Sequence, residues 1–153
     1  MTTHYTADHS AFLRRDFLKV TGGVGALMAA LRDVATALAR RVPHLPVLLY
    51  LHGGGFVGCS ARTHRPTTAA VALQGLRVFV PNYRLAPEHA FPAAPQDVLA
   101  VYRALRAQAP HARITVAGDS AGGNLALGLL LTLRDAGEPL PQAAALFSAA
   151  LDM

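Results

Sequence analysis

The sequence predicts an α/β domain with about four mainly parallel strands and flanking helices. Four short apolar runs are the candidate strands, and they cover residues 47–51, 76–80, 113–117 and 143–147. The segments between them carry apolar residues at helical spacing, over residues 67–74, 96–108 and 124–135. Regular alternation of strands and helices favours a parallel sheet with right-handed crossovers. Because ligands bind at the carboxyl ends of parallel strands, the residues that directly follow the strands are the first candidates for a site.

Each element is bounded by residues that interrupt regular structure. The first apolar run lies between Pro46 and Gly53 and is continuous, which is typical of a strand buried on both faces. The second run ends at Pro81, and the third leads into Gly118. The last predicted helix ends before Gly137, and glycine often terminates helices.

Length and composition restrict the classes of protein to be considered. The chain has 153 residues, which is room for one domain. Hydrophobic residues make up 52% and charged residues 15%, so disordered and fibrous classes are not expected. The single cysteine, Cys59, excludes an internal disulfide and a cysteine-based zinc site. We expect no stable membrane span, because no apolar run reaches the ~18 residues that a spanning helix needs.

The net charge of +5 raises the question of a nucleic-acid partner. Residues 1–41 hold six basic and three acidic side chains, and the rest of the chain holds eight and six. The eight arginines beyond residue 41 are scattered singly, without the basic stripe and interleaved aromatic residues of a nucleic-acid surface. We therefore expect no nucleic-acid partner.

The amino-terminal segment resembles a twin-arginine export signal. Residues 13–19 read Leu-Arg-Arg-Asp-Phe-Leu-Lys, an apolar stretch follows, and residues 37–39 read Ala-Leu-Ala, which a signal peptidase accepts. Leu13 departs from the pattern, which has serine or threonine there. On this interpretation residues 1–39 are a signal, residues 40–153 are the domain, and the protein is exported to the periplasm or secreted; otherwise it is cytoplasmic. The alternative is an amphipathic helix in the same segment.

A serine in a glycine-rich turn follows the third predicted strand. Residues 118–122 read Gly-Asp-Ser-Ala-Gly and fit the pattern G-x-S-x-G between a strand and a helix. In such a nucleophile elbow, formed here by Gly118, Asp119 and Gly122, the tight turn exposes the hydroxyl of Ser120 above the sheet. The same residues are compatible with a plain glycine turn or a phosphate-binding loop. No Gly-Lys-Ser/Thr accompanies them, which argues against phosphate.

Three consecutive glycines follow the first predicted strand, in the sequence His-Gly-Gly-Gly-Phe over residues 52–56. Such a run loses much conformational entropy on folding, so structure alone rarely requires it. Its use is to bring backbone N–H groups close to an oxygen that becomes negative in a transition state. We therefore expect an oxyanion hole formed by this loop and by the residue after the serine, with the candidates Gly53, Gly54, Gly55 and Ala121.

With these two motifs the chain resembles the hormone-sensitive-lipase-like branch of the α/β-hydrolase esterases. A third motif adds to the resemblance: residues 82–89 read Asn-Tyr-Arg-Leu-Ala-Pro-Glu-His, and Phe-Pro-Ala-Ala and Asp97 follow. The resemblance covers residues 46–152 and implies a partial α/β-hydrolase fold. Within the third motif we expect Arg84, Glu88 and Asp97 to form a partly buried ion-pair network that supports the structure.

The resemblance also implies roles for the residues of the two loops. Ser120 would be the nucleophile; Gly54, Gly55 and Ala121 would donate to the oxyanion; and Gly53 would shape the loop. The implied substrate is a small or medium acyl ester. No metal and no organic cofactor are implied.

The catalytic acid and base of that family are not evident here. In the family the order along the chain is serine, acid, histidine. After Ser120 this sequence has only Asp135, Glu138 and Asp152 as acids, and all seven histidines precede the serine. A serine hydroxyl without a base is a weak nucleophile at neutral pH. The histidines near the motifs are interpreted as structural or loop residues: His52, His64, His89 and His111.

We therefore expect a carboxylic-ester hydrolase domain that is a truncated piece of a larger hydrolase. The alternative is a catalytically inactive hydrolase fragment, which is either unstable or a pseudoenzyme that binds a partner. A third hypothesis keeps the same nucleophile but transfers the acyl group to an alcohol other than water. The sequence indicates neither the oligomeric state nor the identity of the ester.

Overall fold

Residues 45–151 are described by the computed structural model, and they form one four-stranded sheet with three helices. The elements in chain order are β1 (Val47–Leu51), α1 (Arg65–Ala72), β2 (Arg77–Phe79), α2 (Ala93–Gln108), β3 (Ile114–Asp119), α3 (Ala121–Asp135) and β4 (Ala143–Phe147). The twin-arginine-like segment, and with it the division of the chain at residue 39, lies outside the described residues. No helix within residues 45–151 is long and apolar enough to cross a membrane.

The sheet is parallel throughout, with the strand order β2-β1-β3-β4. Val47 of β1 lies opposite Arg77 of β2 on one side and opposite Ile114 of β3 on the other. β3 continues the sheet to β4, where Thr115 lies opposite Ala143. Because β1 and β3 are neighbours, the two glycine-rich loops that follow them meet at one edge of the sheet. The parallel α/β architecture predicted from the sequence is confirmed.

The two central strands are covered by apolar residues on both faces. All five residues of β1 are buried, as expected from its continuous apolar sequence. On one face the strands pack with α2 and α3 in a cluster that includes Leu49, Leu51, Val98, Val101, Ile114, Val116, Leu125, Leu129 and Leu133. On the other face a smaller cluster surrounds Leu48, Tyr50 and Ala117. Burial of apolar surface contributes roughly 25 cal/mol per Å² to stability. This packing fixes the ends of the two strands that lie beneath the site.

The bounds of several elements differ from the predicted ones by one to three residues. α1 begins two residues before the predicted segment 67–74, and β2 is shorter than the predicted 76–80. α2 begins at Ala93 instead of residue 96, although Pro95 lies in its first turn. A proline is tolerated there because the N–H that it lacks would have no acceptor within the helix.

The turn between β3 and α3 is shorter than predicted. β3 continues through Asp119, two residues beyond its predicted end, and α3 begins at Ala121, three residues before its predicted start. Gly122 and Gly123 therefore belong to the helix. Ser120 alone separates the two elements, which is the strand–turn–helix arrangement that the G-x-S-x-G pattern predicts.

The last strand, β4, lies at the edge of the described sheet. Within residues 45–151 it pairs with β3 alone, and all five of its residues are exposed. Leu146 and Phe147 are among the large apolar side chains in contact with solvent. β4 nevertheless supports the site, because the carbonyl of Phe147 accepts a hydrogen bond from the backbone N–H of Ser120.

Candidate active site

Ser120 has a strained backbone conformation in the turn between β3 and α3. Its φ is 50° and its ψ is −120°, a region that residues with a side chain rarely adopt. Three backbone hydrogen bonds hold it there: its N–H donates to the carbonyl of Phe147 (2.9 Å), and its carbonyl accepts from Asn124 (3.1 Å) and Ala150 (3.2 Å). The residue is exposed, so a ligand at the carboxyl edge of the sheet can reach it.

Gly118 and Gly122 allow the backbone of the serine turn to lie directly against the end of β1. A Cβ atom added to Gly122 would fall 2.7 Å from the carbonyl oxygen of His52 and still closer to that of Leu51. A Cβ atom on Gly118 would lie 2.8 Å from the Leu51 carbonyl oxygen. The two glycines are therefore required by the close approach of two backbones.

The glycine loop after β1 turns back on itself and leaves two N–H groups unpaired. Gly54 and Gly55 have φ values of 123° and 63°, a region that favours glycine. The carbonyl of Gly54 accepts hydrogen bonds from the N–H groups of Val57 (3.1 Å) and Gly58 (3.0 Å). The N–H groups of Gly54 and Gly55 themselves have no acceptor among residues 45–151. Gly54 is half-buried and Gly55 is exposed, so a ligand at the carboxyl edge of the sheet can reach these two donors.

A third unpaired donor lies in the neighbouring turn. Ala121 is the first residue of α3, and the first N–H groups of a helix have no acceptor within it. The described part of the chain offers this N–H no other acceptor. The amino end of a helix also carries a partial positive charge of about half an elementary charge. Together with Gly54 and Gly55, Ala121 gives three free N–H groups on two adjacent loops, one of which carries Ser120. Free N–H groups of this kind can bind an anionic oxygen.

Asp119 joins the two loops. Its Oδ1 atom accepts hydrogen bonds from the Tyr50 hydroxyl (2.9 Å) and from the backbone N–H of Gly53 (3.1 Å). The Nε2 atom of His64 lies 3.3 Å from the same oxygen and 3.4 Å from Oδ2. The N–H of Gly53, unlike that of Gly54, is therefore engaged and is not free for a ligand.

The surroundings of Asp119 favour its ionised form. Burial by itself raises the pKa of this carboxyl, but the hydrogen bond from Tyr50, the nearby His64 and the N–H of Gly53 together outweigh burial, and the pKa lies below its usual value. Burial, with the Asp119 carboxylate as a smaller cause, raises the pKa of Tyr50 to about 12. At neutral pH Tyr50 is therefore a donor, and Asp119 is a negatively charged acceptor.

Tyr50 and His64 are neighbours of the site that the motifs do not identify. Tyr50 lies opposite Ala117 in the sheet, and Ala117 is two residues before Asp119 on the same face of β3. The register of β1 against β3 therefore places Tyr50 beside Asp119. This contact could be predicted from the sequence only if that register were known. His64, interpreted from the sequence as a loop histidine, instead lies at the amino end of α1 with its ring against Asp119.

His52 packs beneath the glycine loop. It is buried, its ring stacks on that of Tyr83 with 4.3 Å between the ring centroids, and its Nδ1 atom lies 2.8 Å from the Gly53 carbonyl oxygen. The Tyr83 hydroxyl donates a hydrogen bond to the His52 carbonyl. Burial lowers the pKa of His52, so its neutral form is favoured. These contacts agree with the structural role that the sequence analysis gave to this residue.

No histidine among residues 45–151 forms a hydrogen bond with Ser120. The ring of His64 is directed to Asp119, and His89 and His111 are exposed. In the same part of the chain, no group of three or more histidine, cysteine, aspartate or glutamate side chains is placed to hold a metal ion.

An ion pair between Arg84 and Asp97 supports the segment that contacts the glycine loop. The guanidinium donates to both carboxylate oxygens at 2.8–3.0 Å, and the backbone N–H of Arg84 donates to Oδ2 at 2.9 Å. The N–H of Ala86 in this segment donates to the carbonyl of Phe56 (2.8 Å). The partly buried ion pair expected from the sequence is thus confirmed for Arg84 and Asp97. Glu88 was wrongly expected in it: Glu88 is exposed, and within residues 45–151 the guanidinium of Arg84 is occupied by Asp97.

The acidic residues that follow the serine are engaged with arginines. Asp135 ends α3 and accepts a hydrogen bond from Arg134 (2.8 Å), and Glu138 pairs with Arg103. In the described residues neither carboxylate holds a histidine, as the acid of a serine hydrolase triad does. Asp152 lies outside the described residues.

Comparison with known proteins gives a consistent result. The family model for the alpha/beta hydrolase fold matches residues 48–153. The chain is 47% identical over 108 residues to an acetyl-hydrolase of Streptomyces hygroscopicus and 46% identical over 101 residues to the esterase LipI of Mycobacterium tuberculosis. The matches cover 69% and 61% of this chain but 36% and 31% of those proteins. The chain thus spans about a third of the length of the curated relatives that it matches.

Solved structures share the same fold. An esterase from the bacterial hormone-sensitive lipase family gives a TM-score of 0.68 at 32% identity, over 95% of this chain and 57% of that chain. An α/β hydrolase from the metagenome of Lake Arreo, Spain, gives a TM-score of 0.66 at 42% identity, over 70% of this chain and 36% of that chain. The four-stranded arrangement described above is therefore part of a known hydrolase architecture.

Proposed function

The chain belongs to the hormone-sensitive-lipase-like branch of the α/β-hydrolase fold family, and from that premise we propose that it is a carboxylic-ester hydrolase with Ser120 as its nucleophile. The observation that most strongly supports this proposal is an exposed serine with positive φ in a turn that meets three unpaired backbone N–H groups. The reaction class agrees with the curated relatives, which are an acetyl-hydrolase and an esterase.

The first step of the proposed reaction forms a bond between the Oγ atom of Ser120 and the carbonyl carbon of the ester. As this bond forms, the hydroxyl proton passes to a general base, and the carbonyl oxygen becomes negative. The N–H groups of Gly54, Gly55 and Ala121 would bind that oxygen. A single donor of this kind contributes about 3 kcal/mol to transition-state stabilisation.

The second step breaks the bond between the carbonyl carbon and the alkoxy oxygen. The alcohol leaves with the proton that the base received, and an acyl ester of Ser120 remains. Water then attacks the acyl carbon as the same base takes its proton, and the carboxylic acid is released when Ser120 regains that proton. The same three N–H groups serve both tetrahedral intermediates, and the steps need no metal or organic cofactor.

The proposed substrate is a small or medium acyl ester. One of the similar proteins is an acetyl-hydrolase, which makes acetyl esters the first substrates to test.

The general base is not identified among the described residues. No side chain of residues 45–151 forms a hydrogen bond with the hydroxyl of Ser120. This observation favours a second candidate function, a catalytically inactive hydrolase domain that binds a partner protein. In that case the protein would keep the serine turn and its unpaired N–H groups but would not hydrolyse esters.

Hydrolysis of p-nitrophenyl acetate by the full chain tests both candidates. The wild type is compared with Ser120→Ala and with Ser148→Ala, a matched control because Ser148 is also an exposed serine with positive φ. The hydrolase proposal expects activity in the wild type and in Ser148→Ala, and loss of activity in Ser120→Ala. Equal activity in all three proteins would contradict the role of Ser120. A folded wild type without activity would favour the inactive, partner-binding alternative.

A further inference from the structure

The carboxylate of Asp119 fastens the glycine loop to the turn that carries Ser120. Asp119 is the residue immediately before the serine, and its Oδ1 atom accepts the backbone N–H of Gly53 at 3.1 Å. Gly53 in turn immediately precedes Gly54 and Gly55, whose N–H groups are unpaired. The approach is close, because a Cβ atom on Gly53 would lie 2.9 Å from the Asp119 carbonyl oxygen and closer still to its carboxylate.

Within the described residues, this is the only hydrogen bond that joins the loop of residues 52–58 to the turn of residues 118–122. Three glycines in a row have wide conformational freedom, so the loop needs an external contact to keep its N–H groups in one orientation. The orientation matters for a reaction, since an error of about 1 Å in the placement of reacting groups can reduce the rate by about 100-fold.

The carboxylate of Asp119 is itself held in place from two other elements. The Tyr50 hydroxyl, at the buried end of β1, donates to Oδ1 at 2.9 Å. The Nε2 atom of His64, at the amino end of α1, lies 3.4 Å from Oδ2. Hydrogen bonds to an ionised carboxylate are stronger than those between neutral groups. Gly53 is therefore bound to an acceptor whose position is fixed by a strand and a helix.

The negative charge of Asp119 is not what would favour the reaction. A negative charge near a developing oxyanion raises the energy of the transition state, since like charges repel. The contribution of this side chain must then come from the position of its oxygen atom.

We propose that Asp119 is a positioning residue for acyl transfer. By binding the N–H of Gly53, its Oδ1 atom sets the direction in which the N–H groups of Gly54 and Gly55 point toward the oxyanion. The effect on rate rests on the proposed hydrolase function, whereas the effect on the loop does not depend on activity.

Two substitutions separate the position of this oxygen from its charge. Asp119→Asn removes the charge and keeps an acceptor oxygen in nearly the same place. Asp119→Glu keeps the charge and displaces the oxygen by one methylene group. Both variants of the full chain are compared with the wild type by kcat and KM for p-nitrophenyl acetate, and by the amide NMR resonances of Gly54 and Gly55.

We expect Asp119→Glu to lower kcat by about 100-fold with KM unchanged, because it disturbs groups that act in the transition state. The amide resonances of Gly54 and Gly55 should shift in this variant. Asp119→Asn should keep most of the wild-type kcat, with both resonances near their wild-type positions.

A loss of kcat in Asp119→Asn as large as that in Asp119→Glu would show that an acceptor oxygen in the same place does not preserve the rate, and it would overturn the proposal, as would wild-type kcat in Asp119→Glu. If the wild type does not hydrolyse the ester, the proposed hydrolase function is wrong, and the positioning role is judged from the amide NMR resonances alone. Unchanged Gly54 and Gly55 signals in Asp119→Glu then overturn the positioning role. If Asp119→Glu does not fold, displaced signals or a 100-fold lower kcat in Asp119→Asn overturn it.

Discussion

The proposed oxyanion donors would act through their backbones. The three free donors are N–H groups of Gly54, Gly55 and Ala121, and none of them needs a particular side chain. What they need is a fixed position beside Ser120, and close backbone contacts provide it. A substitution that disturbs those contacts should therefore affect the site even when it removes no functional group.

Gly122→Ala is expected to destabilise the protein and to disturb the serine turn. Its Cβ atom would overlap the Leu51 carbonyl, so the backbone must move, at a cost of about 1–3 kcal/mol in the free energy of unfolding. Gly128→Ala is the matched control, because Gly128 lies in the same helix and an added Cβ there meets nothing within 4 Å. That variant should gain about 0.5–1 kcal/mol. Urea unfolding measures both, and wild-type stability in Gly122→Ala would contradict the close approach.

His52 should make the stability of the protein depend on pH at and below the ordinary histidine pKa of about 6.5. Burial lowers the pKa of His52 in the folded state, so below the ordinary histidine pKa the unfolded state binds a proton that the folded state does not. Stability therefore falls as the pH falls through this window. The lowered pKa of Asp119 acts in a separate, more acidic window, where its stabilisation is lost as the pH falls toward its folded pKa.

Melting temperatures across this pH range check the assignment to His52. His52→Asn should flatten the dependence, and His111→Ala, which removes an exposed histidine, is the control that should keep it. A dependence that survives in His52→Asn would show that another group is responsible.

At the residue scale the sequence predicted the serine turn and the glycine loop but not the contacts that hold them. The two glycine motifs identified Ser120 and the glycine loop, because those patterns reflect local backbone needs. The contact of Asp119 with Gly53, Tyr50 and His64 depends on which strands lie side by side. That arrangement is not encoded in any one motif.

At the scale of elements, α3 carries the serine turn and anchors it to the core. Leu133, on the face of α3 toward the sheet, is fully buried, whereas Leu131 on the same helix is 41% exposed. Leu133→Ala is expected to lower the free energy of unfolding by about 2–5 kcal/mol, because it leaves a cavity. Leu131→Ala should change it by about 0.5 kcal/mol or less. Comparable losses in the two variants, measured by urea unfolding, would contradict the packing described for α3.

The sequence predicted the element types well and some of their ends poorly. β1 and β4 have the predicted bounds, because each apolar run is limited by polar or turn-forming residues. α2 and α3 begin three residues early, because Pro95 is tolerated in a first turn and Gly122 and Gly123 are kept in the helix by close packing. In both helices the residues that usually interrupt a helix are stabilised by position or by tertiary contacts.

At the scale of the whole molecule, the described sheet has two edge strands, of which β2 is partly buried and β4 is exposed. β4 is exposed along its length and presents Leu146 and Phe147 to solvent. Exposed apolar edge strands favour association with other chains. We expect the full chain to associate at high concentration and Leu146→Lys to reduce this, as measured by analytical ultracentrifugation. Concentration-independent sedimentation of the wild type would contradict this expectation.

Export through the twin-arginine-like segment remains a prediction, because that segment lies outside the described residues.

The central claim, that Ser120 is the nucleophile of an ester hydrolase, is tested most directly by covalent labelling. A fluorophosphonate probe reacts with activated serines and leaves a phosphonate whose oxygen occupies the place of the oxyanion. We predict a single adduct on the full chain, located at Ser120 by peptide mass spectrometry and absent from Ser120→Ala. An adduct that persists in Ser120→Ala, or a folded wild type that forms none, would contradict the account.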